Sequence, residues 1–74
     1  MKVTVKLFAT FRVGRFKVEE RDVPAGTDIA HIVRDLAIPE DDLGIVMVNG
    51  RHAPLSQSLN EGDALALFPL VGGG

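Results

Sequence analysis

The sequence predicts an α+β fold in which a mixed sheet of four to five strands carries one main helix on one face. Three observations predict this fold. Several short segments alternate apolar and polar residues, one segment repeats apolar residues at helical spacing, and glycine, proline and asparagine separate these segments. With 74 residues, the chain has room for one domain with one hydrophobic core.

The first two predicted strands form a hairpin at the start of the chain. Residues 2–8 alternate apolar with polar side chains, as expected for a half-buried strand. The apolar side of this strand consists of Val3, Val5 and Leu7. A second strand is predicted over residues 15–23, where Phe16 and Val18 alternate with charged residues after a turn at Gly14. We therefore expect the two segments to pair.

One helix is predicted after this hairpin. Thr27 or Asp28 caps its N-terminal amides, because both residue types accept hydrogen bonds from the first turn. Four apolar residues then recur at positions i, i+3, i+4 and i+7, namely Ile29, Ile32, Val33 and Leu36. Pro39 disfavours a helical conformation at Ile38. The helix should therefore cover the core with a single apolar stripe.

The remaining strands follow the helix. A third strand is predicted over residues 45–48, and Asn49-Gly50 is a strong signal for a two-residue turn. The extended piece over residues 51–55 contains Pro54, which favours an edge position. The last strand covers residues 64–68. The predicted order is ββαβ(β)β, in which the last strand can lie beside the first as parallel central strands, in the β-grasp arrangement.

Composition excludes several classes of protein. The chain has no cysteine, which removes disulfides, cysteine-ligated zinc and iron–sulfur clusters. A net charge of −2 provides no general attraction to nucleic acid. The apolar stretches are far too short to cross a membrane, and the N-terminus lacks a signal-type segment. We expect a cytoplasmic protein that binds neither nucleic acid nor membrane.

No metal site or catalytic apparatus is predicted. His31 and His52 have no metal-ligand spacing, and the acidic run at residues 40–42 lacks the alternating pattern of a calcium loop. Two histidines without a cysteine leave few ways to assemble a nucleophilic site. The sequence therefore favours a protein that is not an enzyme.

The C-terminal segment carries the functional prediction. Its residues are Phe68, Pro69, Leu70, Val71, Gly72, Gly73 and Gly74. Because glycines have no side chains to pack, we expect a folded domain over residues 1–71 and a flexible tail over residues 72–74. Taken alone, a terminal glycine run also fits a frayed terminus or an expression remnant.

The ordered set of motifs resembles the MoaD/ThiS family of ubiquitin-like sulfur carriers across essentially the whole chain. These motifs are Asn49-Gly50, the Leu-Asn-Glu-Gly-Asp turn at residues 59–63, Phe68-Pro69 and Gly73-Gly74. The resemblance implies that a ubiquitin-activating-type adenylyltransferase uses ATP to adenylate the Gly74 carboxylate. A sulfur donor, either a cysteine desulfurase or a rhodanese-like protein, then converts it to a thiocarboxylate. The chain would be a carrier with no bound cofactor.

The resemblance leaves the pathway open. Phe68-Pro69 is similar to the molybdopterin-type carriers, which also dock as the small subunit of a synthase with a large subunit. Leu70 and Gly72 depart from that pattern, in which proline and alanine are common. The alternatives are a thiamine-thiazole carrier, a non-catalytic β-grasp interaction module and a protein modifier conjugated through Gly74.

A partner-binding surface follows from strand alternation. If the alternating apolar residues of the strands face the helix, then Phe8, Met47 and Phe68 emerge on the opposite face. An exposed apolar patch of this kind marks a partner site. The predicted surface consists of Phe8, Met47, Phe68, Pro69, Leu70 and Val71, next to the Gly72, Gly73 and Gly74 tail. The alternative is that Phe8 or Phe68 fills a corner of the core.

Overall fold

The structure, a computed structural model, describes residues 1–70 of the chain. Its main elements are β1 (Lys2–Leu7), β2 (Val18–Asp22), α1 (Ile29–Asp35), β3 (Leu43–Val48), β4 (Arg51–His52) and β5 (Ala64–Pro69). Two short 3-10 helices, Ala9–Arg12 and Glu40–Asp42, lie in the loops before β2 and β3. The predicted boundary after residue 71 and the predicted glycine tail lie outside the described residues.

The five strands form one mixed sheet in the order β2-β1-β5-β3-β4. The central strands β1 and β5 run parallel, with Val5 beside Leu65 and Leu7 beside Leu67. The pairs β1–β2, β3–β5 and β3–β4 are antiparallel. This topology confirms the predicted β-grasp arrangement, including the parallel pairing of the first and last strands.

One face of the sheet packs against α1, and we call it the inner face. Alternate residues of β1, β3 and β5 project from it, because successive side chains of a strand point to opposite faces. The buried apolar core consists of Val3, Val5, Leu7, Phe11, Ile29, Ile32, Val33, Ile38, Val48, Leu59, Leu65 and Leu67. Val46 and Leu36 pack against it while remaining partly exposed. The predicted inward-facing residues are therefore confirmed.

Both ends of α1 are capped. At the N-terminus, the Asp28 carboxylate accepts a hydrogen bond from the backbone N–H of His31 at 2.9 Å, so Asp28 is the cap. At the C-terminus, Ala37 adopts a φ of 56° and the N–H of Ile38 donates to the carbonyl of Val33 at 3.1 Å. The helix thus ends before Pro39, as predicted.

Strand β2 differs from the prediction. The sequence predicted a strand over residues 15–23 with Phe16 and Val18 on its apolar side, but the strand begins at Val18. In the observed register, Val5 lies beside Glu19 and Lys6 lies beside Val18. Val18 therefore projects away from the core and is 53% exposed. The intervening 3-10 helix buries Phe11, a contact that strand periodicity cannot indicate.

Strand β4 is also shorter than predicted and ends at His52. It lies at the edge of the sheet, as Pro54 indicated. The turn before it has positive φ at both Asn49 (52°) and Gly50 (81°), as a two-residue hairpin turn requires. That turn prediction is confirmed.

Candidate functional site

The candidate site begins on the sheet face that points away from α1, which we call the outer face. Residues that are neighbours across paired strands project from the same face. Lys6 of β1 lies beside Ala66 of β5, and Ala66 lies beside Met47 of β3. Two residues further along β5, and on the same face, Phe68 lies beside Ile45 of β3. The outer face therefore carries an apolar patch across its three middle strands.

Two aromatic rings form the centre of this patch. The rings of Phe8 and Phe68 are stacked, with centroids 4.1 Å apart and planes 12° from parallel. Phe8 follows β1 directly, and its N–H donates to the carbonyl of Leu67 at 3.2 Å. The parallel pairing of β1 with β5 brings the two rings together. Both rings are half-buried against each other on the outer face, and neither fills a corner of the core.

Arg12 extends the stack on one side. Its guanidinium carbon lies 5.3 Å from the centroid of the Phe8 ring, within range of a cation–π interaction. The Arg12 Nε donates to the carbonyl of Leu7 at 2.7 Å. Arg12 was not predicted as a site residue, because its position depends on the 3-10 helix at Ala9–Arg12. No spacing in the sequence indicates that contact.

The base of the tail is held beside the same patch. The N–H of Leu70 donates to the carbonyl of Asp42 at 2.9 Å. The backbone of Gly44 lies close to the backbone of Pro69 and Leu70. A Cβ atom added at Gly44 would stand 2.7 Å from the carbonyl oxygen of Pro69. The pairing of β3 with β5 shifts register between Leu43 and Ile45, around this glycine. The chain direction at Leu70 is therefore set by backbone contacts.

Gly44 was also missed by the sequence analysis. A glycine inside a strand is a known signal for a bulge or a close backbone approach. The predicted strand began at Ile45, so Gly44 lay outside it, whereas the observed β3 begins at Leu43 and includes Gly44. The 2.7 Å distance explains why a side chain does not fit at this position.

Of the predicted surface residues that the structure describes, Phe8, Met47 and Phe68 project from the outer face. Pro69 alternates to the other side of β5, opposite Leu43, and Leu70 follows the strand. Phe8, Met47, Phe68 and Pro69 are half-buried, and Leu70 is 63% exposed. Val71, Gly72, Gly73 and Gly74 lie outside the described residues. The structure thus places the aromatic pair next to the point where the tail begins.

The rest of the described chain offers little other chemistry. Across residues 1–70, no three histidine, aspartate or glutamate side chains are grouped so that they could hold a metal ion. His31 lies 3.6 Å from Asp35 one helical turn away, and both side chains are exposed. None of the helices in the described part of the chain is long and apolar enough to span a membrane.

Comparison with known families matches this chain to one of them. The sequence model of the ThiS family matches residues 5–74. None of the curated proteins that were compared with the chain matches it.

Solved structures share the whole architecture. A Pyrococcus furiosus protein described as molybdopterin converting factor, subunit 1, is 28% identical with a TM-score of 0.79, covering 96% of this chain and 99% of its own. Small archaeal modifier protein 1 of Haloferax volcanii is 25% identical with a TM-score of 0.77, covering 95% and 98%.

A Helicobacter pylori structure contains a complex of subunits 1 and 2 of molybdopterin-converting factor. It is 21% identical with a TM-score of 0.68 and covers 100% of both chains, so it supports the fold alone. The family match, the β-grasp topology and the motif order agree. This chain therefore belongs to the ThiS family and has the ubiquitin-like β-grasp fold.

Proposed function

We propose that this chain is a sulfur carrier whose Gly74 carboxylate is activated by adenylation and then converted to a thiocarboxylate. The observation that carries the proposal is the base of the tail at Leu70, which is tied to Asp42 beside the stacked Phe8–Phe68 pair. A partner that grips the outer face would hold the start of the tail in a fixed direction. The family match, which runs to residue 74, supports the same reading.

The chemistry requires a second protein. A carboxylate is a poor electrophile because its negative charge is shared by two oxygens, so a good leaving group must be installed first. In the proposed reaction, a Gly74 carboxylate oxygen attacks the α-phosphorus of ATP and diphosphate leaves. The terminal sulfur of a persulfide on the donor protein then displaces AMP from the acyl carbon and forms an acyl disulfide. A thiol, as reductant, attacks the donor's sulfur of this disulfide, so that the S–S bond breaks, the Gly74 thiocarboxylate leaves and a new disulfide forms on the donor. ATP belongs to the activating partner, so the carrier itself needs no bound cofactor.

The tail has the length for this reaction. Four residues separate Leu70 from the end of Gly74, which gives a reach of at most about 14 Å. A glycine-rich segment suits a narrow channel, because no Cβ atom widens the chain. The folded body would thus stay on the surface of the activating enzyme while the terminal carbon reaches the nucleotide.

Within this function, we favour the molybdopterin pathway over thiamine thiazole formation. The Pyrococcus furiosus protein, at 28% identity, supports this choice. The Phe68-Pro69 pair before the tail supports it as well. On this reading the partners are a ubiquitin-activating-type adenylyltransferase, a cysteine desulfurase or rhodanese-like donor, and a synthase large subunit. The Helicobacter pylori complex is a precedent in the same fold for a two-subunit assembly. We place these reactions in the cytoplasm.

A second candidate function is protein modification through Gly74. It is favoured by the likeness to small archaeal modifier protein 1 of Haloferax volcanii. The same acyl adenylate would be attacked by a lysine amine in place of sulfur, which gives an amide bond. The two functions share activation and differ in the nucleophile.

Intact-mass spectrometry tests the proposal. The chain is incubated with ATP, the activating enzyme of its host and a sulfur source, and its mass is compared with a reaction that lacks ATP. We expect an ATP-dependent oxygen-to-sulfur mass increment that fragmentation assigns to Gly74. A matched variant lacking Gly73 and Gly74 should show no increment. Equal sulfur incorporation by that variant would overturn the proposal, and amide conjugates through Gly74 would favour the modifier.

A further inference from the structure

We propose that Arg12 is a receptor for a carboxylate side chain of the protein that docks on the outer face. The inference rests on the proposed function and adds the chemistry of the partner surface. It assigns the partner an aspartate or glutamate beside the entrance to the channel that receives the tail.

The Arg12 guanidinium is held in place before any partner binds. Its Nε donates to the carbonyl of Leu7 at 2.7 Å, and its carbon lies 5.3 Å from the centre of the Phe8 ring. Phe8 is in turn stacked on Phe68 at 4.1 Å. One hydrogen bond and one ring face therefore restrain the position of the guanidinium. A side chain restrained in this way loses less entropy when it binds a ligand.

Among the described residues, the Arg12 guanidinium leaves hydrogen-bond donors unused. A guanidinium carries five N–H donors, and within residues 1–70 the side chain of Arg12 makes only the hydrogen bond from Nε. It takes part in no ion pair in that part of the chain, and it is exposed. The two terminal nitrogens together form a planar fork that matches the two oxygens of a carboxylate.

Charge on the outer face is segregated along β1. On this face Asp22 lies beside Lys2 and Glu20 beside Thr4. The N-terminal ammonium pairs with Asp22 at 3.3 Å, and Lys2 pairs with Glu20 at 3.6 Å.

Lys6 lies four residues beyond Lys2, about 13 Å along the strand, and Arg12 follows the end of β1. Neither Lys6 nor Arg12 takes part in an ion pair within residues 1–70, although the acidic run Glu40–Asp42 precedes β3 at the same end of the sheet. A carboxylate of the partner would complement the Arg12 guanidinium locally.

A protein carboxylate fits Arg12 better than the phosphates of the nucleotide. The nucleotide must stand at the Gly74 carboxylate, and the four residues beyond Leu70 can carry that atom up to about 14 Å from the folded body. Arg12 lies at the body, in contact with the aromatic pair that the partner would cover. Covering the patch removes water from the guanidinium, so an unpaired charge there would be costly and a paired one strongly held.

The first test measures binding of the chain to the ubiquitin-activating-type enzyme of the same host by calorimetry. Arg12→Gln should weaken binding about 10- to 100-fold, as expected for one member of a covered charge pair. Arg34→Gln is the matched control, because it removes the same charge from an exposed position on α1. The control should change the Kd by less than about twofold.

The second test locates the partner group. Arg12→Lys places an amine at position 12, and a zero-length carbodiimide joins an amine only to a carboxylate in direct contact. We expect a cross-link from position 12 to an aspartate or glutamate of the enzyme, mapped by tandem mass spectrometry and absent from Arg12→Gln. A bound complex without this cross-link, or Arg12→Gln binding as tightly as the unaltered chain, would overturn the inference alone. Failure of the unaltered chain to bind would overturn the proposed function as well.

Discussion

The two faces of the sheet use the same strands for different purposes. On the inner face, Val5, Leu65 and Leu67 have no exposed surface and pack against α1. On the outer face, the alternate residues Ile45 and Phe68 remain accessible, and a stacked aromatic pair takes the place of an aliphatic layer. The difference indicates that alternate residues of one strand serve different purposes. Substitutions on the inner face should lower the stability of the fold, and substitutions on the outer face should weaken partner binding.

The largest effect on folding is expected from Leu65→Ala on the inner face. Leu65 is fully buried, and truncating such a residue removes apolar contacts and leaves a cavity, at a cost of about 2–5 kcal/mol. A domain of this length is stable by only about 4–11 kcal/mol. Urea unfolding followed by circular dichroism measures the loss. A cost below about 1 kcal/mol would show that the two faces do not differ as described.

Phe68→Asp on the outer face should give the opposite pattern. The monomer should stay folded and lose about 2–3 kcal/mol, since the half-buried ring gives up part of its burial together with its aromatic contact with Phe8. Binding to the activating enzyme should weaken by about 30-fold or more, as for a central interface residue. Val18→Asp is the control on the same face, because Val18 lies on the outlying strand β2. Loss of folding in Phe68→Asp would mean that Phe68 belongs to the core.

Gly44→Ala tests the link between the outer face and the tail. The added Cβ atom would stand 2.7 Å from the Pro69 carbonyl oxygen, so the backbone must shift, at a cost of about 1–3 kcal/mol. The amide resonance of Leu70 should move, and adenylation should lose kcat while the Kd for the enzyme changes little.

Gly14→Ala is the control for that substitution. Its φ of 70° also disfavours a side chain, at a cost of about 1 kcal/mol, but no atom lies within 4 Å of the added Cβ. The control should destabilise the fold without changing adenylation. Equal loss of kcat in both variants would contradict a positioning role for Gly44.

The smallest effect is expected from Ala37→Gly, which acts on the helix side. Ala37 adopts a φ of 56°, a conformation that glycine reaches without strain. The substitution should stabilise the fold by about 0.5–1 kcal/mol in urea unfolding. Binding to the activating enzyme should not change, because Ala37 lies at the end of α1 on the side that carries stability. A change in Kd would show that the helix side also contacts the partner.

The sequence predicted correctly those strands in which apolar residues alternate with polar residues in the same order as buried positions alternate with exposed ones. In β1 and β5, Val5 lies beside Leu65 and Leu7 lies beside Leu67 across the parallel pair. Strand β2 misled the analysis because Val18 faces outward while Glu19 lies beside Val5. At the edge of a sheet a charged residue can occupy an inward position and still reach water. The alternation of apolar and polar residues therefore predicts the buried face of an edge strand poorly.

The placement of Phe8 and Phe68 on the outer face could also be predicted, because successive side chains of a strand point to opposite faces. The contacts that build the site around them could not. Arg15 donates to the carbonyls of Leu36 and Ala37 and so ties the loop before β2 to the end of α1. These two hydrogen bonds join residues through tertiary structure, which residue spacing does not report. Arg12 donates to the carbonyl of Leu7 only five residues away, across a 3-10 helix that strand and helix periodicity did not predict.

Nuclear magnetic resonance of the labelled chain with the unlabelled activating enzyme tests the central claim most directly. If the outer face and the base of the tail are the docking site, the largest shifts or broadening should fall on the amides of Phe8, Met47, Phe68 and Leu70. Amides of α1 should stay close to their free positions. Changes centred on Ile32 and Arg34, with the outer face unaffected, would contradict the account.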